Sequence, residues 1–383
     1  MNKLFFVTSI LFLFSSVLFG VDYKTYKNEQ TEQFSKYQKS ISNDFISYKK
    51  VYDDSLKEYK VEISRKWPVS DISTNYKWVE YSSNYDSKKI IDYDKGYISI
   101  SVIAANSKEA EKKLIKMFDD LYKYDAKEGF NNDILEQKIS QKFDKNRSNI
   151  LSNEKLIGDM ITKDQQENLK KTIVAPKLEE IKYNENNIYK VELRFPKNAI
   201  LQKEKLYKTK IKEQSDKLNI KEELILGIIK NESSFNPLAK SHVPAFGLMQ
   251  IVPQSAGIDA YNHLYGEKKL LDSEYLFDPN NNIMIGSTYL SILYYKHLKD
   301  IKDPQSRVYC TVASYNTGSS NVARAFGSST KISQAINEIN SMSSEDVYVK
   351  LINDLPYDET KKYIARVKQS MEEYAKMLQN GTL

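Results

Sequence analysis

The clearest alternation of apolar and polar positions is YISISVIA at 97–104, where Ile98, Ile100 and Val102 interleave with Ser99 and Ser101. A period of two is that of a strand with one buried face, because successive side chains of an extended chain point to opposite sides. A helix is predicted next. In NSKEAEKKLIKMFDDLY, Ser107 can cap, Glu109 sits in the first turn, and Leu114, Met117, Phe118 and Leu121 recur at helical spacing. A second alternation, IYKVELRF, sets Tyr189, Val191, Leu193 and Phe195 on one face and stops at Pro196. Beyond Pro196 no strand pattern returns, and apolar positions at helical spacing alternate with short Gly, Pro and Asn breaks, beginning with LYKTKIKEQSDKLNI. The pattern predicts a two-domain α+β chain, with a small α+β domain over 67–200 and a mainly α domain over 201–383. Residues 21–66 are rich in Lys, Tyr and Asp with only a weak apolar recurrence at Phe45, Tyr48, Val51 and Tyr52, which reads as a charged helical lead-in that packs lightly before Trp67 and Pro68.

The start of the chain changes the picture of where it works. Lys3, the apolar run Leu4 to Phe19 and the small Gly20 make a secretory signal over 1–20, cleaved near Gly20, which directs the chain to the periplasm. The run is short for a membrane span and carries Thr and Ser; left uncleaved, it would hold the chain in loose association with the membrane. No cysteine follows the run to carry a lipid. The only cysteine, Cys310, lies in the apolar stretch VYCTVASYN and reads as a small core residue. His242, His263 and His297 have no metal-ligand spacing with one another or with Cys310, so the sequence calls for no metal and no cofactor. A net charge of +6 is spread thinly, without the basic block and interleaved aromatics of a nucleic-acid binder. The 28 tyrosines within a chain that is 40% hydrophobic argue for folded surfaces and sugar-lined grooves and against disorder.

Candidate chemistry is concentrated after residue 220. KEELILGIIKNE sets Leu224, Ile225, Ile228 and Ile229 on one helical stripe, and Glu232 continues it three residues later, just before the stop SSFNP. A carboxyl at the end of an apolar stripe is partly desolvated, which disfavours its charged form and lifts its pKa toward the range of a general acid. SHVPAFGLMQIVPQSAG follows nine residues later, then ASYNTGSSNVARAF and ETKKYIARV.

These four segments, in this order, resemble the soluble lytic transglycosylases, the goose-type-lysozyme-like enzymes that cleave peptidoglycan. The resemblance runs over roughly 67–370, is strongest from 220, and extends in the N-terminal half to the accessory domain of one membrane-bound branch of the family. It implies an accessory domain followed by a lysozyme-like catalytic domain, with Glu232 as the catalytic residue. Ser241, Gln250 at the end of Gly-Leu-Met-Gln, Tyr315 and Asn316 of SYNTG, and Tyr363 of the last motif fall at substrate-binding positions, Tyr363 beside the acid. The implied partner is the peptidoglycan glycan strand, and the implied reaction is that of a carbon–oxygen lyase, cleaving the bond between N-acetylmuramic acid and N-acetylglucosamine without water to leave 1,6-anhydromuramoyl ends. No Asp or Glu lies between Glu232 and Asp259, so a second carboxylate of the usual glycosidase pair is not apparent locally. The residues themselves leave two other readings open: a muramidase that adds water, and a non-catalytic peptidoglycan-binding protein.

Overall fold

Five antiparallel strands carry the N-terminal half: β1 (Lys77–Tyr81), β2 (Ser87–Asp92), β3 (Tyr97–Ile103), β4 (Glu179–Tyr183) and β5 (Asn186–Arg194), in the order β1-β2-β3-β5-β4. The computed structural model describes residues 46–143, 152–241, 244–327 and 330–383. The signal segment, the lead-in before residue 46 and His242 lie outside them.

One face of the sheet follows the predicted alternation. Ile98, Ile100 and Val102 of β3 and Tyr189, Val191 and Leu193 of β5 pack under Leu114, Phe118 and Leu121 of α2 (Ser107–Lys123). Its N-cap is Asn106, whose side chain accepts from the Glu109 N–H, so the cap falls one residue before the Ser107 that the sequence suggests.

The opposite face departs from expectation. Ser99 and Ser101 are only 3% and 2% exposed. The reason is the lead-in: residues 47–64 form helix α1, and its Tyr52, Tyr59 and Ile63 join Trp67, Val79, Tyr81, Ile90 and Ile188 in a second apolar cluster over this face. This described part of the lead-in therefore packs firmly, not lightly. Charges admitted to the sheet are paired on both faces: Asp71 with Lys77 and Lys88 at 3.1 and 2.8 Å, and, on the α2-covered face, Glu80 with Lys89 at 2.5 Å. Helices α3 (Ala126–Asn131), α4 (Ile134–Phe143) and α5 (Lys163–Lys170) fill the long connection from α2 to β4.

From Ala199 the chain is helical: α6 (Ala199–Leu218), α7 (Glu222–Ser233), α8 (Ile258–Tyr265), α9 (Ser273–Phe277), α10 (Pro279–Ile292), α11 (Pro304–Thr317), α12 (Ser319–Ala325), α13 (Ile332–Asn340), α14 (Ser344–Asp354) and α15 (Asp358–Gln379). Leu224 through Ile229 of α7 are all buried, so this helix is apolar all round and forms the centre of the bundle. It lies close along α15, where a Cβ added at Gly227 would meet Met371 Cγ at 3.1 Å and Val367 O at 3.4 Å. Cys310 is buried in α11. The α2-covered face of the sheet and the interior of the bundle belong to one continuous apolar core.

Candidate active site

Glu232 stands in the last turn of the most deeply buried helix, so the backbone delivers its carboxyl to the interior rather than to a surface rim. The helix stops because Ser234 and Phe235 both adopt left-handed backbone, at φ 48° and 64°, a costly pair for side-chain-bearing residues. Ser233 supports the stop, its hydroxyl donating to Ile229 O at 3.1 Å and accepting from the Phe235 N–H at 3.2 Å.

The Tyr363 hydroxyl, from α15, donates to Glu232 Oε1 at 2.7 Å. Burial raises the Glu232 pKa to about 7; Tyr363 opposes the rise by bonding the charged form, the Glu359 charge adds to it, and Arg366 counters it. Glu232 still keeps a partial opening to solvent. The combination is a carboxyl that keeps a large protonated fraction near pH 7, is held in one orientation, and is reachable from outside.

The Gly-Leu-Met-Gln turn forms the adjoining wall. Gly247 donates its N–H to Ala239 O at 2.8 Å, and Gln250, itself left-handed at φ 48°, donates its side-chain amide to Ala239 O and Gly247 O at 3.1 and 3.0 Å. Buried Asn282 of α10 reaches the turn from below: its Oδ1 accepts from the Met249 N–H at 2.7 Å, and its Nδ2 donates to Phe246 O and Leu276 O at 2.8 and 2.7 Å. At Gly247, with φ 73°, a Cβ would stand 2.3 Å from both Asn282 Nδ2 and Leu276 O. Gly247→Ala is therefore expected to destabilise the fold by about 3 kcal/mol or more, combining left-handed strain with overpacking, as a lowered midpoint in denaturant unfolding.

Two further sequence candidates arrive on α11. Tyr315 donates its hydroxyl to Met249 O at 2.8 Å and packs on Tyr289 with ring centres 5.7 Å apart, and the Glu232 charge contributes to holding its hydroxyl protonated after burial does most of that work. Asn316 Oδ1 accepts from Thr360 Oγ1 at 2.8 Å, one turn before Tyr363. Ser241 is fixed through its N–H to Ala245 O at 3.2 Å, beside the short pairing of Lys240 with Phe246. Tyr363 thus meets Glu232 directly, Tyr315 and Gln250 are joined through the Met249 turn, and Asn316 is joined through Thr360.

Residues 209–337 match the transglycosylase SLT domain family. The membrane-bound lytic murein transglycosylase C of Klebsiella pneumoniae subsp. pneumoniae is 30% identical over 339 residues, covering 84% of this chain and 89% of the relative. The protein of the same name from Serratia proteamaculans is 32% identical over 303 residues, 78% of this chain and 82% of its own. The chain belongs to the lytic transglycosylase family. It is an enzyme of the peptidoglycan-cleaving, lyase type. Among solved structures, the 70-kDa soluble lytic transglycosylase of Escherichia coli covers 71% of this chain and 44% of its own at 15% identity, with a TM-score of 0.36, too distant to carry weight.

The SLT match of this lytic transglycosylase ends before α15, so Tyr363 lies beyond it. Three supporting residues escape a sequence reading. Thr360 and Arg366 lie three residues on either side of Tyr363, a helical spacing that could have marked them as its neighbours. Asn282 sits in PNNNIMIG, where only the fold distinguishes the buried asparagine from its neighbours. No helix among the described residues is long and apolar enough to cross a membrane, and no group of three His, Cys, Asp or Glu among them could hold a metal ion.

Proposed function

We propose that Glu232 carries both proton transfers of the transglycosylase reaction. Neutral Glu232 gives its proton to the glycosidic oxygen between N-acetylmuramic acid and N-acetylglucosamine as the bond to the anomeric carbon breaks, and the substrate's own 2-acetamido oxygen stabilises that carbon. The resulting carboxylate then takes the proton of the same sugar's 6-hydroxyl as its oxygen bonds to the anomeric carbon. The product is a 1,6-anhydromuramoyl end, Glu232 is neutral again, and no water is consumed. The observation that carries this reading is a single carboxyl with a pKa near 7, oriented by Tyr363.

Ser241, Gln250 and Asn316 supply short polar groups for acetamido and hydroxyl recognition, and Tyr315 an aromatic face for a sugar ring. Gln250 Nε2 and Asn316 Oδ1 are engaged within the protein, so Gln250 Oε1 and Asn316 Nδ2 are the groups assigned to substrate. Residues 67–200 serve as the accessory domain and 201–383 as the catalytic domain, exported to the periplasm by residues 1–20. Digestion of purified peptidoglycan followed by mass spectrometry of the muropeptides tests the reaction: anhydro ends are expected, and reducing ends alone would instead indicate hydrolysis.

Because the acid must be protonated for the first step, activity is expected to fall as pH rises through about 7. Tyr363→Phe removes a hydrogen bond that favours the carboxylate, so the Glu232 pKa rises further and the alkaline limb of the rate profile moves to higher pH. Loss of orientation is expected to lower kcat by about tenfold at the same time. A kcat–pH profile of the variant reads both effects.

A further inference from the structure

The last carbonyls of a helix have no donor within it, and α7 ends on the residues that matter most. Lys230 O accepts from the Ser234 N–H at 3.1 Å and Ser233 O from the Asn236 N–H at 3.0 Å, which are local contacts. The two carbonyls between them are satisfied from far away in sequence. Tyr76 Oη donates to Asn231 O at 2.7 Å, and Asn75 Nδ2 donates to Glu232 O at 2.9 Å. Both come from the loop that leads into β1. The contact is reciprocal, since Asn236 Nδ2 donates to Asn75 O at 3.2 Å.

The same loop is also anchored to the sheet. The Thr74 N–H donates to Lys77 O at 2.7 Å, and the Tyr93 N–H, just after β2, donates to Tyr76 O at 3.0 Å. Glu232 is therefore held at two ends: its carboxyl by Tyr363 and its own backbone carbonyl by Asn75. The hydrogen bond from Tyr76 adds a second fixed point one residue earlier, so that both translation and rotation of the last turn are limited.

We infer that Asn75 and Tyr76 are positioning residues for the transglycosylase reaction, by which the sheet domain sets the end of the catalytic helix so that one carboxyl can serve two proton positions in succession. The inference rests on the acid–base role assigned to Glu232 above. A carboxyl with one proton transfer to perform tolerates small displacement; one that must reach the glycosidic oxygen and then the 6-hydroxyl has less room, and misplacement on the order of 1 Å can cost about a hundredfold in rate. Neither residue needs to touch the sugar for this to hold.

The test uses the full chain with Asn75→Ala, Tyr76→Phe, the double variant and Glu232→Gln, assayed on soluble glycan strands for kcat and KM, with melting temperatures measured alongside. The expected result is about a tenfold loss of kcat in each single variant and up to about a hundredfold in the double, with KM within about twofold of the parent. A double variant with parental kcat overturns the inference while Glu232→Gln remains inactive; an active Glu232→Gln overturns instead the reading on which it rests. A kcat loss that disappears when the assay is run well below the variant's melting temperature marks a folding effect and also overturns it.

Discussion

Glu232→Gln is expected to lower turnover by at least about 10³-fold, within the range that one general acid–base group contributes. Glutamine keeps the shape and can accept the Tyr363 hydrogen bond, but it cannot release a proton to the leaving oxygen or collect one from the 6-hydroxyl. Binding of glycan strands should survive, because the groups assigned to recognition are other residues. Stability should change with a definite sign. The folded-state pKa of Glu232, about 7, lies above the ordinary carboxylate value, so the folded protein binds the proton more tightly than the unfolded chain. Stability of the parent therefore falls as pH rises from about 4.5 to 7 and stays lowered above that. Glutamine carries no such penalty. The variant should melt higher than the parent at pH 8 and converge with it in acid, which thermal unfolding at the two pH values will show. A carboxyl exposed to water would give no such divergence.

The second large effect is expected at Lys240, in the strand segment immediately before Ser241. Its ammonium is enclosed, pairing with Asp133 Oδ2 at 2.6 Å and with Glu136 Oε1, from α4, at 3.1 Å; all three side chains are buried. Burial alone would drive the lysine toward its neutral form, but Asp133 and Glu136 outweigh it and hold the charge. Lys240→Met strands two buried carboxylates beside each other. The expected cost is about 3–5 kcal/mol, the usual penalty for breaking a buried pair by removing one partner. Protonation removes the stranded charges, so the deficit should shrink in acid. Denaturant unfolding at neutral and acid pH measures both. The triple variant Asp133→Asn, Glu136→Gln, Lys240→Met removes all three charges and should recover most of the loss; a triple variant as unstable as Lys240→Met would show that the methionine packs badly rather than that the charges matter.

What the sequence disclosed and what it withheld follow from the range of the interactions concerned. The β3 and β5 alternations were legible because one face of each packs under α2, and period two survives wherever a single face is decisive. β1 and β2 were not. KWVEY and SKKIID place Glu80, Lys88 and Lys89 in a sheet covered on both faces, where local pattern cannot show that each charge has a partner on another segment. The same covering helix explains why Ser99 and Ser101 are buried although their polarity sends them outward on paper. Glu232 could be picked out because its stripe and the helix stop lie within twelve residues, and Tyr363 through its motif. Asn75 and Tyr76 could not, since the carbonyls they bond lie more than 150 residues onward.

The continuous interior shared by sheet and bundle bears on how this protein can be cut. Separating the chain between β5 and α6 would leave the bundle fragment with an apolar flank where Phe130 had stood against Phe277, ring centres 5.5 Å apart, a surface prone to aggregate once solvated. Expression of residues 201–383 alone should therefore yield insoluble material rather than a trimmed, diffusible enzyme.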